Sequence, residues 1–203
     1  MGTYYAQKTH TRGKGVELAN IEMPLVVGDI HTEYIRAGAQ AIKTNTFAAN
    51  RIVYQGDEKL VRQILHAGWK IAARAAKPTG AFVFADIGPV VGMPHTDILD
   101  EYHFLAEEFL ACGAKHFLFE TNSSADGLIE TARYIKKRCP EAFILDSFSA
   151  FPGGYTRDGR FVEELVHEAA DSHIVDAVGF NCMNGIHQMK ELIHRLEPHD
   201  LPL

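Results

Sequence analysis

The sequence predicts an α/β protein whose strands run parallel in one sheet. From about residue 39 onward, short apolar runs alternate with amphipathic segments, and each run recurs after roughly 25 to 40 residues. A strand, a helix and a second strand at this spacing form a right-handed βαβ unit, which makes the sheet parallel. With 203 residues, 46% of them hydrophobic and 23% charged, the chain has the composition of one globular domain that buries a core.

The apolar runs predict five strands, and helical periodicity predicts the helices between them. In chain order the strands are expected at 39–47, 81–87, 116–120, 142–148 and 175–182. The helices are indicated by apolar residues three or four positions apart, which are Leu60, Ile64, Trp69, Ile71 and Ala72, then Phe104, Leu105, Phe109 and Leu110, then Leu128, Ile129, Ala132 and Ile135, and finally Phe161, Leu165 and Ala169.

The number of strands leaves two architectures open. A closed (β/α)₈ barrel needs eight parallel strands and typically ~250 residues, whereas a doubly wound open sheet tolerates five strands. Residues 1–3 resemble a loop with no preceding strand, and residues 201–203 stop where another strand would start. The sequence shows no Gly-x-Gly-x-x-Gly segment after a strand and no Gly-x-x-x-x-Gly-Lys loop, so the usual marks of nucleotide binding are missing.

Charge and cysteine usage exclude several classes of function. The net charge is −6 and the basic residues form no continuous patch, so nucleic acid is not an expected partner. No membrane-length hydrophobic stretch and no amino-terminal apolar signal appear, which predicts no membrane contact. Three scattered cysteines do not form a disulfide framework, and a reducing cytoplasm is the expected location.

Polar residues follow the apolar runs at the predicted carboxyl ends of the strands. They lie in the segments 43–47, 86–89, 120–122, 146–149 and 181–182. Any single strand end meets solvent and is polar for that reason alone. In a parallel βα array, however, all carboxyl ends converge on one rim, so these side chains are expected to surround one concavity.

Three of these residues have both a chemical and a structural interpretation. Cys182, after the last apolar run, is either a small buried hydrophobe or a nucleophile or metal ligand. Glu120 ends the run 117–119, where a carboxylate needs a partner, and either binds a substrate ammonium, acts as acid or base, or pairs with a neighbouring group. Lys43 either forms a Schiff base or reaches solvent.

In chain order, the segments 43–51, 87–89, 119–121 and 178–182 resemble motifs of the homocysteine S-methyltransferase family, and 31–39 resembles the first helix of that family. The resemblance covers nearly the whole chain at suitable spacing, which makes it more specific than any one motif. It implies that residues 1–203 are one homocysteine-binding (β/α)₈ TIM barrel domain that is incomplete, with about five to six of the eight βα units present. The first strand and the last two strands are expected to be missing.

The same resemblance implies a site. Cys182 matches the first of three cysteine thiolates that hold Zn²⁺, and the other two belong to a segment that this sequence does not contain. Glu120 matches the glutamate that holds the substrate amino group, so it is expected to act in both substrate binding and catalysis. The loop Thr44, Asn45 and Thr46 matches one that lines the same pocket, and Asn181, which precedes the metal ligand, is expected to bind substrate as well. Lys43 stands where many relatives have Glu or Gln.

The activity that the resemblance implies is zinc-dependent transfer of a methyl group to the thiol of homocysteine, which gives methionine. Zinc would ionise the bound thiol and so create the nucleophile. The methyl donor is expected to be a small molecule such as methyl-folate or methyl-cobalamin, and further domains of the same parent chain are expected partners. Two alternatives stay open, namely an aldolase-like barrel that uses Lys43 as a Schiff-base nucleophile, and an inactive fragment whose metal site is incomplete.

Overall fold

A computed structural model describes residues 1–10, 15–92, 94–196 and 201–202. The strands are β1 (Ala41–Lys43), β2 (Phe82–Ile87), β3 (His116–Asn122), β4 (Phe143–Phe148) and β5 (Ala177–Phe180). The helices are α1 (Gly2–Thr9), α2 (Ala19–Glu22), α3 (Pro24–Arg36), α4 (Glu58–Ala76), α5 (His95–Ala111), α6 (Leu128–Arg138), α7 (Val162–Asp171) and α8 (Ile186–Arg195), with a 3₁₀ turn at Val16–Leu18. In the described part of the chain, no helix is both long enough and apolar enough to cross a membrane.

The five strands are ordered β1-β2-β3-β4-β5 in the sheet, which is also their order in the chain. β1 pairs in parallel with β2, with Ile42 opposite Val83, and β4 pairs in parallel with β5, with Asp146 opposite Val178. From β1 onward a helix separates each strand from the next. The predicted α/β class with a parallel sheet is therefore confirmed.

The chain divides into two compact units. The first comprises Met1–Ile87 and Leu105–His116, and the second comprises Gly88–Phe104 and Phe117–Leu203. In the first unit α4 packs against α2, α3 and β2 through an apolar stripe. In the second unit the core is built from side chains that solvent does not reach, among them Phe117, Phe119, Leu128, Ile144 and Phe148.

The amino-terminal residues correct one expectation. A loop is expected at residues 1–3, but Gly2 and Thr3 belong to α1. The helix is stabilised by tertiary contacts, because Tyr5 is buried in a cluster with Val27 and Ile30 of α3. Sequence periodicity does not reveal it, since eight residues make only about two turns and a helix this short depends on its packing partners.

The first and last strands are shorter than the apolar runs that predict them. β1 stops at Lys43 rather than at residue 47, because the side chains of the next three residues hydrogen bond to neighbouring segments instead of extending a regular strand. β5 stops at Phe180, and Cys182 and Met183 then adopt left-handed backbone conformations with φ of 60° and 55°. The Val178 N–H donates to the Pro202 carbonyl at 3.0 Å. Pro202 lies in the segment 201–203, where the sequence predicts the start of another strand. Leu203 of that segment lies outside the described residues.

Gly68 allows α4 to approach the segment after β1. A Cβ atom at this position would lie 2.6 Å from Nδ2 of Asn20 and 2.9 Å from Cγ2 of Thr46. The same Nδ2 atom donates to the carbonyls of Asn45 at 2.8 Å and Ile64 at 3.2 Å. Glycine is therefore required here by close packing, because a methyl group would push a buried amide away from both carbonyls.

Gly68→Ala is expected to lower the free energy of unfolding by about 1–3 kcal/mol, because the added methyl group overpacks a buried contact. Gly28→Ala in α3 is the matched control, since its Cβ would meet only Cγ2 of Ile71 at an ordinary 3.6 Å. That control gains helix propensity of up to ~1 kcal/mol. Denaturant unfolding of the two variants measures the difference, and equal stability would contradict the packing argument.

Candidate functional site

Asn181 joins the carboxyl ends of three strands in the second unit. Its Nδ2 atom donates to Oγ1 of Thr121 at 2.6 Å, and its Oδ1 atom accepts from the Thr121 N–H at 3.2 Å. Oδ1 also accepts from Oγ of Ser147 at 2.8 Å. Thr121 belongs to β3, Ser147 belongs to β4, and Asn181 directly follows β5. One side-chain amide thus fixes three strand ends that are far apart in sequence.

Cys182 presents an exposed thiol beside this amide. Its Sγ atom lies 3.3 Å from Nδ2 of Asn181 and 3.9 Å from Oγ1 of Thr121. The left-handed backbone at Cys182 breaks the strand alternation just after β5 ends. Of its two interpretations from sequence, the buried structural cysteine is wrong, because the residue is exposed.

Glu120 lies near the carboxyl end of β3, two residues before the last residue of the strand. Phe117 and Phe119 are completely buried on one face of the strand, so Glu120 projects from the other face, where it is half-buried. A half-buried carboxylate at a strand end is accessible to a ligand while it is partly removed from bulk water. This placement suits a group that binds a cationic substrate atom.

Thr44, Asn45 and Thr46 lie in the first unit and are all buried. Asn45 donates through Nδ2 to the Val16 carbonyl at 2.8 Å. Oγ1 of Thr46 donates to the Asp86 carbonyl at 2.7 Å, and Oγ1 of Thr44 accepts from the Asp86 N–H at 2.9 Å. Their side chains hold the segment after β1 against neighbouring backbone, so these bonds fix the shape of the loop.

Lys43, the last residue of β1, forms an ion pair with Asp86. The Nζ atom lies 3.1 Å from Oδ2 of Asp86, whose side chain is 2% exposed, and about a third of the lysine side chain is accessible. A Schiff-base lysine must lose its proton before it attacks a carbonyl. The adjacent carboxylate stabilises the ammonium form instead, which opposes that role.

Asp146 of β4 is a further buried polar group in the second unit. Burial raises its pKa to about 7, and its Oδ1 atom has no hydrogen-bond partner among the described residues. Burial is the main cause of the raised pKa of Tyr102, and the charge of Asp146 adds to it; the Tyr102 hydroxyl lies 3.4 Å from Oδ1 of Asn122. A carboxyl group in these surroundings is stable mainly in its neutral form.

Among the described residues, one exposed thiol, that of Cys182, is a candidate metal ligand. No group of three or more His, Cys, Asp or Glu side chains in this part of the chain can hold a metal ion. Cys182 fits as one zinc ligand, because its sulfur is exposed and the Asn181 amide nitrogen, 3.3 Å away, orients it. Cys112 and Cys139 are half-buried at the ends of helices, and burial raises the pKa of the Cys112 thiol, so it is a poorer ligand.

The βα array and its polar strand ends define the class of protein as part of a (β/α)₈ barrel with its candidate site at the carboxyl ends of the strands. The chain belongs to the homocysteine S-methyltransferase family, a family of enzymes, because the family model of that description matches residues 1–203. The family resemblance of the four sequence segments is therefore confirmed.

Two methionine synthases are similar to this chain. That of Mycobacterium tuberculosis (strain ATCC 25618 / H37Rv) is 29% identical over 216 residues, which cover 90% of this chain and 17% of the relative. That of Mycobacterium leprae (strain TN) is 28% identical and covers 90% of this chain and 16% of the relative. The chain thus spans about a sixth of the length of these curated relatives.

The fold is similar to that of the homocysteine methyltransferase MmuM from Escherichia coli. Its apo form matches with a TM-score of 0.74 and 22% identity, over 95% of this chain and 75% of that chain. Its metallated form matches with a TM-score of 0.74 and 17% identity, over 97% and 78% of the two chains. At this identity the likeness concerns the fold alone. It confirms that the architecture is an incomplete (β/α)₈ barrel rather than a doubly wound open sheet.

The structure brings Asn181 and Cys182 together with two residues that sequence reasoning did not select. Thr121 and Ser147 lie in the polar strand ends 120–122 and 146–149, and Thr121 also lies in the segment 119–121 that resembles a family motif. Their hydrogen bonds to Asn181 span 60 and 34 residues along the chain. No local pattern reveals such pairings, because they depend on the register of three strands.

Proposed function

We propose that the protein carrying this chain transfers a methyl group to the thiol of homocysteine and produces methionine. The observation that carries the proposal is the exposed Cys182 thiol, held by Asn181 and Thr121 at the carboxyl end of β5, in a chain of the homocysteine S-methyltransferase family. In the reaction the bond between methyl group and donor breaks, a bond from the methyl carbon to the homocysteine sulfur forms, and the thiol proton goes to solvent.

Cys182 is proposed as one of the ligands of a zinc ion, with the remaining ligands outside the described residues. Zinc, when bound, supplies the positive charge that keeps the homocysteine sulfur ionised at neutral pH. Cys182 contributes a soft thiolate, and Asn181 orients that thiolate through its Nδ2 donor. The exposure of Cys182 leaves room for a substrate sulfur and further ligands beside it.

Glu120 is proposed to bind the ammonium group of homocysteine and so to place its sulfur for reaction. Its carboxylate is half-buried near the carboxyl end of β3, one residue from Thr121, which contacts Cys182. Substrate positioning of this kind lowers the entropy cost of reaction. Thr44, Asn45 and Thr46 are proposed to contribute to substrate binding through their backbone, since their side chains are hydrogen bonded internally.

Glu120→Gln is expected to raise the KM for homocysteine roughly 10- to 100-fold, with a smaller change in kcat. The variant loses a charge-assisted hydrogen bond of about 1.5–3 kcal/mol while it keeps the shape of the side chain. Steady-state kinetics at saturating methyl donor measure the effect. Glu164→Gln is the control, because Glu164 is exposed on α7, and an unchanged KM in the Glu120 variant would contradict the assignment.

The methyl donor is proposed to be methyl-folate or methyl-cobalamin, which other parts of the parent chain would deliver. The support is the similarity to methionine synthases that are about six times longer than this chain. A cytoplasmic location stays a prediction from the sequence. We also propose that residues 1–203 belong to one barrel domain and that this piece alone is inactive, because its described residues supply a single exposed thiol as a metal ligand.

The proposed function is tested by incubating the zinc-loaded parent protein with homocysteine and, separately, with methyl-folate, methyl-cobalamin, betaine or S-methylmethionine. Methionine, detected by mass spectrometry, is expected with one of the first two donors. No methionine with any donor would overturn the proposal. The Schiff-base alternative is tested by borohydride trapping with a carbonyl compound, in which no label at Lys43 is expected because of its ion pair with Asp86.

A further inference from the structure

Thr121 breaks the regular alternation of β3. Its φ of 65° lies in the left-handed region, which costs a β-branched residue of the order of 1–3 kcal/mol. Phe117 and Phe119 are buried on one face, Glu120 and Thr121 are successive half-buried residues, and Asn122 is buried again. Two neighbouring side chains therefore avoid the buried face, as happens at a β-bulge that redirects a side chain.

Contacts define where each of these side chains points. Phe119 lies against the ring of Tyr102, with ring centroids 5.7 Å apart, and the Tyr102 hydroxyl also contacts Asn122. Thr121 instead contacts Asn181 and Cys182. Because alternation turns Glu120 away from Phe119, the left-handed residue after it puts the Thr121 hydroxyl on the Glu120 side of the strand.

The hydrogen bonds also fix the orientation of the Asn181 amide. The Thr121 N–H can only donate, so the atom that faces it must be the oxygen Oδ1 of Asn181. Nδ2 then faces Oγ1 of Thr121 at 2.6 Å and Sγ of Cys182 at 3.3 Å. Since Oγ1 accepts from Nδ2, the Thr121 hydroxyl hydrogen is free to point toward Sγ, which lies 3.9 Å away.

We propose that Thr121 is a positioning residue for the methyl-transfer site, and that its strained backbone is retained for this role. The left-handed turn places Glu120 and the Thr121 hydroxyl on one side of β3, while the hydroxyl and N–H hold the Asn181 amide against the Cys182 sulfur. Ser147 supports the same amide, because its Oγ donates the second of the two hydrogen bonds that Oδ1 of Asn181 accepts. This inference rests on the proposed function, because it assigns a task within the same site.

The test is the zinc affinity of the parent protein, measured by competition with a chromophoric chelator, together with kcat/KM for homocysteine. Thr121→Val keeps the β-branched shape but replaces the hydroxyl acceptor of Nδ2 with a methyl group. Loss of a residue that orients a metal ligand typically weakens metal binding about 10- to 100-fold, and this loss is expected here. Thr121→Ser retains the hydroxyl and is expected to stay within about threefold of the unmodified protein in both measurements.

Thr131→Val is the matched control, because it makes the same chemical change at a buried threonine of α6 whose Oγ1 has no hydrogen-bond partner among the described residues. Zinc affinity is expected to be unchanged in this variant. Unchanged zinc affinity and kcat/KM in Thr121→Val would overturn the positioning role, as would an equal loss in Thr121→Ser. If the unmodified protein binds no zinc and forms no methionine, the proposed function itself fails, so the two failures are distinct.

Ser147→Ala provides a second variant in case Thr121→Val does not fold. It removes one of the two hydrogen bonds to Oδ1 of Asn181 and leaves the Thr121 contacts intact. A loss of zinc affinity in the same direction, but smaller than that in Thr121→Val, is expected. An affinity equal to that of the unmodified protein would contradict a role for this hydrogen-bonded amide in holding Cys182.

Discussion

Cys182→Ala is expected to lower methionine formation by the parent protein at least ~1,000-fold, which corresponds to about 4 kcal/mol of transition-state stabilisation. The variant removes the one exposed thiol in the described residues and, with it, the proposed zinc ligand. Without that ligand the homocysteine thiol keeps its proton at neutral pH and is a poor nucleophile. Zinc content and initial rates of methionine formation, measured on the same preparation, give the result.

Cys112→Ala is the matched control for this experiment. Cys112 is half-buried beside the end of α5, and burial raises the pKa of its thiol, so its removal leaves zinc content and rate unchanged. The control also separates a metal-binding role from a general effect of removing a cysteine. A Cys182→Ala protein that binds zinc fully and retains a tenth or more of the activity would contradict the assignment.

Asp146→Asn is expected to stabilise the protein at pH 8 by about 1–3 kcal/mol and by clearly less at pH 5, where only part of the pH-dependent cost has developed. Burial raises the pKa of this carboxyl from 3.8 in the unfolded chain to about 7 in the folded protein. Between these two values the folded state binds one more proton than the unfolded state, so stability falls as the pH rises. Above pH 7 the carboxylate is charged in both states, and the cost of burying the charge is complete.

Asparagine removes this cost because it is nearly isosteric and does not ionise. The measurement is amide hydrogen exchange in peptides that contain β4, compared between the variant and the unmodified protein at each pH. Asp126→Asn is the control, since Asp126 is exposed in the same unit. An equal stability difference at pH 5 and pH 8 would show that ionisation of Asp146 does not limit stability.

Much of the fold follows from local patterns in the sequence. Apolar runs separated by amphipathic segments predict the five strands and the helices between them. A strand in the middle of the sheet is apolar along its length, whereas a helix that packs on the sheet is apolar on one face only. The polar strand ends also indicate Glu120, Asn181 and Cys182 as candidate site residues. Element boundaries are predicted less accurately, since Thr44 and its neighbours have the propensity of a strand but form side-chain bonds that end it.

Helix α1 shows why other features escape prediction. It begins at Gly2 and carries little periodic signal, yet it forms because Tyr5 is buried against α3 and because Lys8 pairs with Glu33 at 2.7 Å. These partners are about 20 or more residues away in the chain. Propensity is a weak local preference, and tertiary contacts of this kind override it.

The sequence by itself determined the α/β class, the family and the presence of a candidate thiol at the end of the last strand, because periodicity and motif order are properties of neighbouring residues. Only the tertiary structure decided that Thr121 adopts a left-handed backbone, that Asn181 faces Cys182 with its amide nitrogen, and that Asp146 is buried. The physical reason is that these states are stabilised by hydrogen bonds and burial between strands, and such contacts exist only after the strands have paired.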